Sequence, residues 1–140
     1  MDQGGAAVVR SFIDALERRD AAPLREVLAH DVVFEPMSTA AATRRPCFGP
    51  TAVCDYVEDL DRTWRSFEIS LRHVEEVGDG YVIGAGRIRA RAREISLLAD
   101  NPVGVAFSVR DGRVAWGRVF ATVTEAHDAV TQRRGAAWPG

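Results

Sequence analysis

The sequence contains no lysine; all 18 of its basic residues are arginine. Schiff-base catalysis on a lysine amine is therefore excluded, and with it the usual attachment of pyridoxal phosphate. The bias also points to a GC-rich bacterial genome, since lysine codons are AT-rich. Cysteine is scarce: Cys47 and Cys54 match no CxxC metal or redox spacing. They read as two reduced thiols of a cytosolic protein, and a disulfide would need the chain between them to bend back. With a formal net charge of −2 there is no basic field for nucleic acid. No apolar run is long enough to span a membrane. The start, MDQGGAAVVRSF, lacks the basic segment and apolar block of a secretory signal. The expected location is the cytoplasm, with no membrane partner. There is no GxSxG elbow, phosphate-binding glycine loop, dinucleotide fingerprint or HExxH. His30, His73 and His127 are scattered without carboxylate spacing, so neither a metal nor another cofactor is expected.

What is present fits one domain. A chain of 140 residues, 46% hydrophobic and 27% charged, can bury a core. Residues 6–19 carry Val8, Val9, Phe12, Ile13 and Leu16 at helical spacing. Asp20 then caps a second helix, with Pro23 in its first turn and Leu24, Val27 and Leu28 as its stripe. Asp31 closes that unit, and Val32 to Phe34 reads as a short strand ended by Pro36. Residues 37–49 have no period and read as a loop over a pocket mouth. Gly49-Pro50 opens a third helix whose buried face is Ala52, Val53, Tyr56, Val57, Leu60 and Trp64.

After Trp64 the period changes to two. Phe67, Ile69 and Leu71 alternate with polar residues, Gly78-Asp79-Gly80 is a turn, and Tyr81 to Arg93 is a long strand. Asp100-Asn101-Pro102 reads as another turn before a strand from Val103 to Val109. Asp111-Gly112 turns into the last strand, where Trp116, Arg118 and Phe120 share one face. An arginine between two large aromatics suggests a pocket wall. Glu125 to Val130 is a short terminal helix. The domain is placed at 1–130, with 131–140 as a mobile tail in which Trp138 is free to dock. Three helices followed by hairpin-linked strands give an α+β fold, with the helices on one face of a strongly curved antiparallel sheet. Such a sheet leaves a cone-shaped cavity suited to a small molecule.

The order of AAVVRSFIDALERRD, LREVLAHDVVFEP, GPTAVCDYV, DGRVAWGRVF and EAHDAV resembles the nuclear-transport-factor-2-like superfamily, closest to its polyketide-cyclase-like (SnoaL-like) branch. The resemblance covers roughly residues 6 to 130. It implies a cystatin-like roll, a homodimer joined through the outer face of the sheet, and a small-molecule ligand. It does not fix an activity, because this fold hosts many chemistries. Steroid isomerases of the fold use a tyrosine, a carboxylate base and a protonated Asp; those positions fall on Phe12, Pro36 (with Glu35 beside it) and near Val105. Limonene-type epoxide hydrolases use an Asp-Arg-Asp trio with a Tyr and an Asn. Arg87 matches the arginine, but the two acids fall on Arg89 and Arg118, and the Tyr and Asn on Phe34 and Pro36. Epoxide hydrolysis by that route is disfavoured. Polyketide cyclases of the fold use an Asp or His pair. His30, His73 and Asp100 are present, but no pair is dictated by spacing.

Each candidate carries two readings. Arg87, Arg89 and Arg91 share a strand face, and Arg118 lies on a strand able to approach them. They form either an anion site or a solvated face paired with Glu68, Glu75, Glu76 or Asp100. Pairing is preferred for Arg91, and both readings stay open for Arg87 and Arg118. Glu35 is a general base or an arginine partner. His73 is a proton shuttle or a structural residue. Phe34, Tyr56, Trp64, Trp116 and Phe120 line a pocket or form plain core. Tyr81 carries the same two readings.

The first expectation is a cofactor-independent isomerase, cyclase or dehydratase acting on a small, mostly apolar molecule. Arg118 or Arg87 would steady an oxyanion while Glu35 or His73 moves the proton. The alternative is a non-catalytic ligand-binding or dimerisation module of the same fold.

Overall fold

Helix α1, Gly5–Arg18, buries Val8, Val9, Phe12, Ile13 and Leu16 along one stripe. It ends at Arg19, whose φ of 55° is left-handed. That conformation costs a residue with a Cβ roughly 1–2 kcal/mol. The reversal sets Asp20 as the N-cap of α2, Ala21–Glu26, with its carboxylate accepting from the Ala22 amide at 3.4 Å. In this computed structural model, residues 4–36, 45–93 and 98–136 are described.

Helix α2 is shorter than its apolar stripe suggested. Leu28 already belongs to strand β1, Leu28–Glu35, so His30 and Asp31 are strand residues rather than a helix end. Pairing overrides propensity: Leu28 is held in register with Val114, and Val114 N–H donates to the Val27 carbonyl at 2.7 Å. Part of the expected mouth loop, 37–44, lies outside the described residues. Its end forms a two-residue strand, β2, Cys47–Phe48. Helix α3, Gly49–Thr63, carries Pro50 in its first turn. Trp64 does not complete its buried face but opens strand β3, Trp64–Gly78.

Strands β4 (Tyr81–Ala92), β5 (Leu98–Arg110) and β6 (Arg113–Phe120) complete a curled six-stranded sheet in the order β2-β1-β6-β5-β4-β3. Neighbouring pairs are antiparallel except β1 and β6, which run parallel. At both two-residue hairpin turns each central residue has positive φ: Asp79 and Gly80 at 55° and 80°, Asp111 and Gly112 at 53° and 73°. That geometry matches the strand twist.

The turn expected at Asp100-Asn101-Pro102 is absent. These residues are in β5, paired with Arg89, Ile88 and Arg87. Strand β6 reaches β5 only as far as Gly104, so Pro102 sits where β5 is an edge, a position proline tolerates.

Helix α4 runs Val123–Ala136, six residues past the expected end, so 131–136 of the supposed tail are helical. Trp138 lies outside the described residues.

Two cores follow from the alternation within each strand, except that a register shift against Ser108 and Val109 sends Val114 and Trp116 of β6 to opposite faces. Val82, Ile69, Val103, Val105, Phe107 and Val114 face α1, α2 and α3. Ile83, Ala106, Trp116 and Phe120 face the other way, under Ala126 and Val130 of α4. A Cβ on Gly104 would lie 2.4 Å from the Thr122 carbonyl oxygen, so α4 starts directly over that strand.

Candidate functional site

The hollow between sheet and helices is filled by aromatic packing. Phe12 lies tilted against Phe34 at 5.4 Å and meets Phe107 edge-on at 5.3 Å; Tyr56 lies 5.8 Å from Phe34. Phe12, Phe34 and Phe107 are at most 2% exposed, and no buried residue among those described is polar or charged. Gly117 makes room for this cluster, since a Cβ there would lie 2.7 Å from the Phe107 ring and 3.2 Å from Phe34. The three positions matched to the steroid-isomerase machinery, Phe12, Pro36 and Val105, are all buried and apolar. The described interior therefore holds no acid or base.

Trp116, Arg118 and Phe120 share a face as the alternation required, but it is the outer face. They do not wall the hollow. Trp116 and Phe120 are buried beneath α4, and the exposed Arg118 lies over the Phe120 ring at 4.9 Å. Glu35 is on the same outer side, where its Oε2 accepts from Trp116 Nε1 at 2.9 Å. Glu35 and Arg118 are register neighbours on β1 and β6.

His73 is exposed on β3, its Nε2 3.6 Å from Glu75; His127 of α4 approaches the same carboxylate at 3.8 Å. Strand β3 is four strands from β1, about 19 Å at the usual strand spacing, so His73 does not join Glu35 and Arg118. Arg87 and Arg89 also face outward and share Asp100, at 2.9 Å and 3.9 Å. The arginines matched to the hydrolase trio thus point away from the hollow. Of the remaining candidates, Phe34 is core, while Tyr56 and Trp64 are half-buried against it.

A different concavity opens on the helical side. It encloses about 630 Å³ between the end of α1, the start of α2, α3 and the first residues of β3. Cys54 and Val57, 7% and 3% exposed, belong to its lining and to the core, and form its floor. Arg18, Arg19, Arg62 and Arg65 line it together with Glu17, Glu58 and Asp61. Most of these charges are already matched. Arg18 pairs with Asp14, and Arg62 with Asp59 and Glu58.

Asp61 is the hub of one end. It accepts from Arg19 and, at 3.4 Å, from Arg93, whose Nε also donates to the Asp61 carbonyl at 2.6 Å. The Arg19 hydrogen bond holds the Asp61 carboxyl below its ordinary value. The left-handed turn at Arg19 brings this guanidinium back to α3.

Glu17 differs from its neighbours. It is partly buried, and its Oε1 accepts from the Ile69 amide at 2.8 Å. Burial raises its pKa, the Ile69 hydrogen bond opposes this, and the nearby Glu68 and Asp14 raise it further. Burial likewise pushes the Cys54 thiol up, away from the thiolate form that reacts. Sequence reasoning missed Glu17 as a site residue. The available signal was its position one turn after Ile13, at the edge of the apolar stripe rather than opposite it. The arginines around it come from three separate elements, which no spacing rule connects.

Among the described residues there is no group of three metal-ligating side chains and no helix long and apolar enough to cross a membrane.

The SnoaL-like domain profile matches residues 9–117. The sequence has no significant match among curated proteins. Solved structures share the fold. A Catenulispora acidiphila protein with a ketosteroid isomerase-like fold, in complex with trimethylamine, superposes with a TM-score of 0.72 at 10% identity, over 82% of this chain and 85% of that one. A putative SnoaL-like polyketide cyclase from a Jannaschia species gives 0.70 at 16% identity, over 92% and 96%. An LEH-like epoxide hydrolase of M. tuberculosis gives 0.69 at 18% identity, over 91% and 90%. At these identities the likeness is one of fold.

Proposed function

This chain belongs to the SnoaL-like domain family, and from that premise we propose that it binds a small molecule in the groove between α1, α2, α3 and β3. One contrast carries this reading: the hollow is packed with phenylalanines, whereas the groove has the size of a small-molecule site, an apolar floor and convergent polar groups. Of the two expected functions, the ligand-binding module fits the geometry better.

The test is amide-resolved NMR with cyclohexanone and hexanoate as ligands. Shifts should concentrate at Glu17, Cys54, Val57 and Asp61. Ala21→Trp, which fills the groove from its exposed rim, should abolish them. Shifts centred on Phe34, Val105 and Phe107, or no shifts at all, would overturn the proposal.

A second reading keeps proton-transfer catalysis as an isomerase, cyclase or dehydratase. Its support is the adjacency of Glu35 and Arg118 on β1 and β6, with Trp116 orienting the carboxylate. In that case Glu35→Gln and Arg118→Ala should each lower turnover at least about 100-fold, the usual scale of a positioned acid or base. Near-normal turnover in both would remove it.

A further inference from the structure

Two charged groups in the groove have no oppositely charged partner among the described residues, the partly buried Glu17 and the exposed Arg65. Four arginines line it, yet none pairs with Glu17, whose carboxylate meets only the Ile69 amide among the described residues. Arg65 lines the same groove and forms no ion pair or hydrogen bond among the described residues, while Arg18, Arg19 and Arg62 are each matched to an acid. Cys54 and Val57 form the apolar floor.

A partly buried carboxylate without a cation is costly, and a ligand that brings an N–H cation to it recovers part of that cost. An unengaged guanidinium offers a two-pronged site for a carboxylate or another oxyanion. A short apolar linker would cover the floor.

We propose that the groove takes a small zwitterion, its ammonium against Glu17 and its anionic group against Arg65, with a short hydrocarbon body over Cys54 and Val57. This rests on the groove being the binding site, and it adds the chemical class of the ligand. A purely anionic ligand would meet the Glu17 charge, and a purely cationic one would leave Arg65 unused. The carboxylate also has its pKa raised, chiefly by burial and against the Ile69 hydrogen bond, as expected where no cation is supplied from within the protein.

The experiment is titration of the full chain with straight-chain amino acids whose ammonium and carboxylate sit at opposite ends, from glycine through γ-aminobutyrate to ε-aminocaproate. Butylamine and butyrate serve as the single-charge controls, and binding is followed by calorimetry and amide NMR. One chain length should bind at least about tenfold tighter than either control. Glu17→Gln and Arg65→Ala should each reduce that ligand to the single-charge level. Glu17→Gln retains an acceptor for the Ile69 amide, and unshifted resonances of Trp116 and Phe120, on the other face of the sheet, verify that the fold is intact.

The inference is overturned if no zwitterion exceeds butylamine or butyrate, if affinity ignores chain length, or if Glu17→Gln binds as wild type does. If the single-charge compounds still shift Cys54 and Val57, the groove stands and only the ligand class falls. If every shift maps to Phe34 and Phe107, the groove falls with it.

Discussion

Replacing Phe107 by alanine tests whether the hollow is a packed core or a vacant pocket. Phe107 is fully buried, meets Phe12 edge-on at 5.3 Å, and has a bare glycine, Gly117, pressed against its ring. Truncating a buried phenylalanine costs about 3–5 kcal/mol from lost transfer energy and the cavity left behind. The edge-on aromatic contact adds about 0.5–1.5 kcal/mol beyond area, which lifts this site from the lower end of that range to about 4 kcal/mol. With a urea m-value of about 2 kcal/mol/M, the midpoint should fall by about 2 M. The new cavity is lined by Phe12, Phe34 and Val105, so it should stay dry and accept benzene. Benzene at about ten times its Kd would restore about 1.4 kcal/mol. Gly117→Ala should be destabilising in the wild type, where its Cβ would press on the ring, and less so in the Phe107→Ala background, where only the 3.2 Å approach to Phe34 remains. A loss under about 1 kcal/mol, with no effect of benzene, would mean that the ring fills no core, and would make the hollow a candidate binding site again.

Other contacts make two further outcomes testable. Gly104→Ala places a Cβ 2.4 Å from the Thr122 carbonyl and 2.6 Å from Val123 Cα, both backbone atoms that cannot rotate away. A destabilisation of about 1–3 kcal/mol is expected, with faster hydrogen exchange along α4; unchanged exchange there would contradict the close crossing. The Glu17 pKa is raised in the folded state, chiefly by burial, so its favourable contribution is complete below the unfolded value and is lost as pH rises through the folded one. Glu17→Gln should therefore gain on wild type at about pH 7 relative to about pH 4 in denaturation midpoints. Asp61 has the opposite sign: the Arg19 hydrogen bond lowers its pKa, so its contribution is present above the unfolded value and lost as pH falls through the lowered one. A Glu17→Gln advantage equal at both pH values would refute the raised pKa of Glu17.

Much of the fold was legible because it depends on local signals. The stripe of α1, the Asp20 cap, Pro50 at the start of α3 and the two paired-φ turns each rest on a few neighbouring residues. Misplacements occurred where distant pairing decided. Leu28 reads as helix and is held in β1 by Val114, and Asp100 to Pro102 read as a turn but lie against Arg89 to Arg87. The site was less legible still. Glu17, Cys54, Asp61 and Arg65 come from three elements with no common period, and they meet only when α1, α3 and β3 pack together.

By itself, the sequence determined that Trp116, Arg118 and Phe120 lie on one side of a strand, because successive strand residues alternate. It did not determine which side. That was decided when β1 paired parallel to β6 and α4 lay across the sheet, sending Trp116 and Phe120 under α4, with Glu35 held by Trp116, and Phe34 and Phe107 into the helix-facing core. Parity is a property of the chain. The choice of face belongs to the layers that cover it, and here it moved the candidate site from the sheet to the groove beside Glu17.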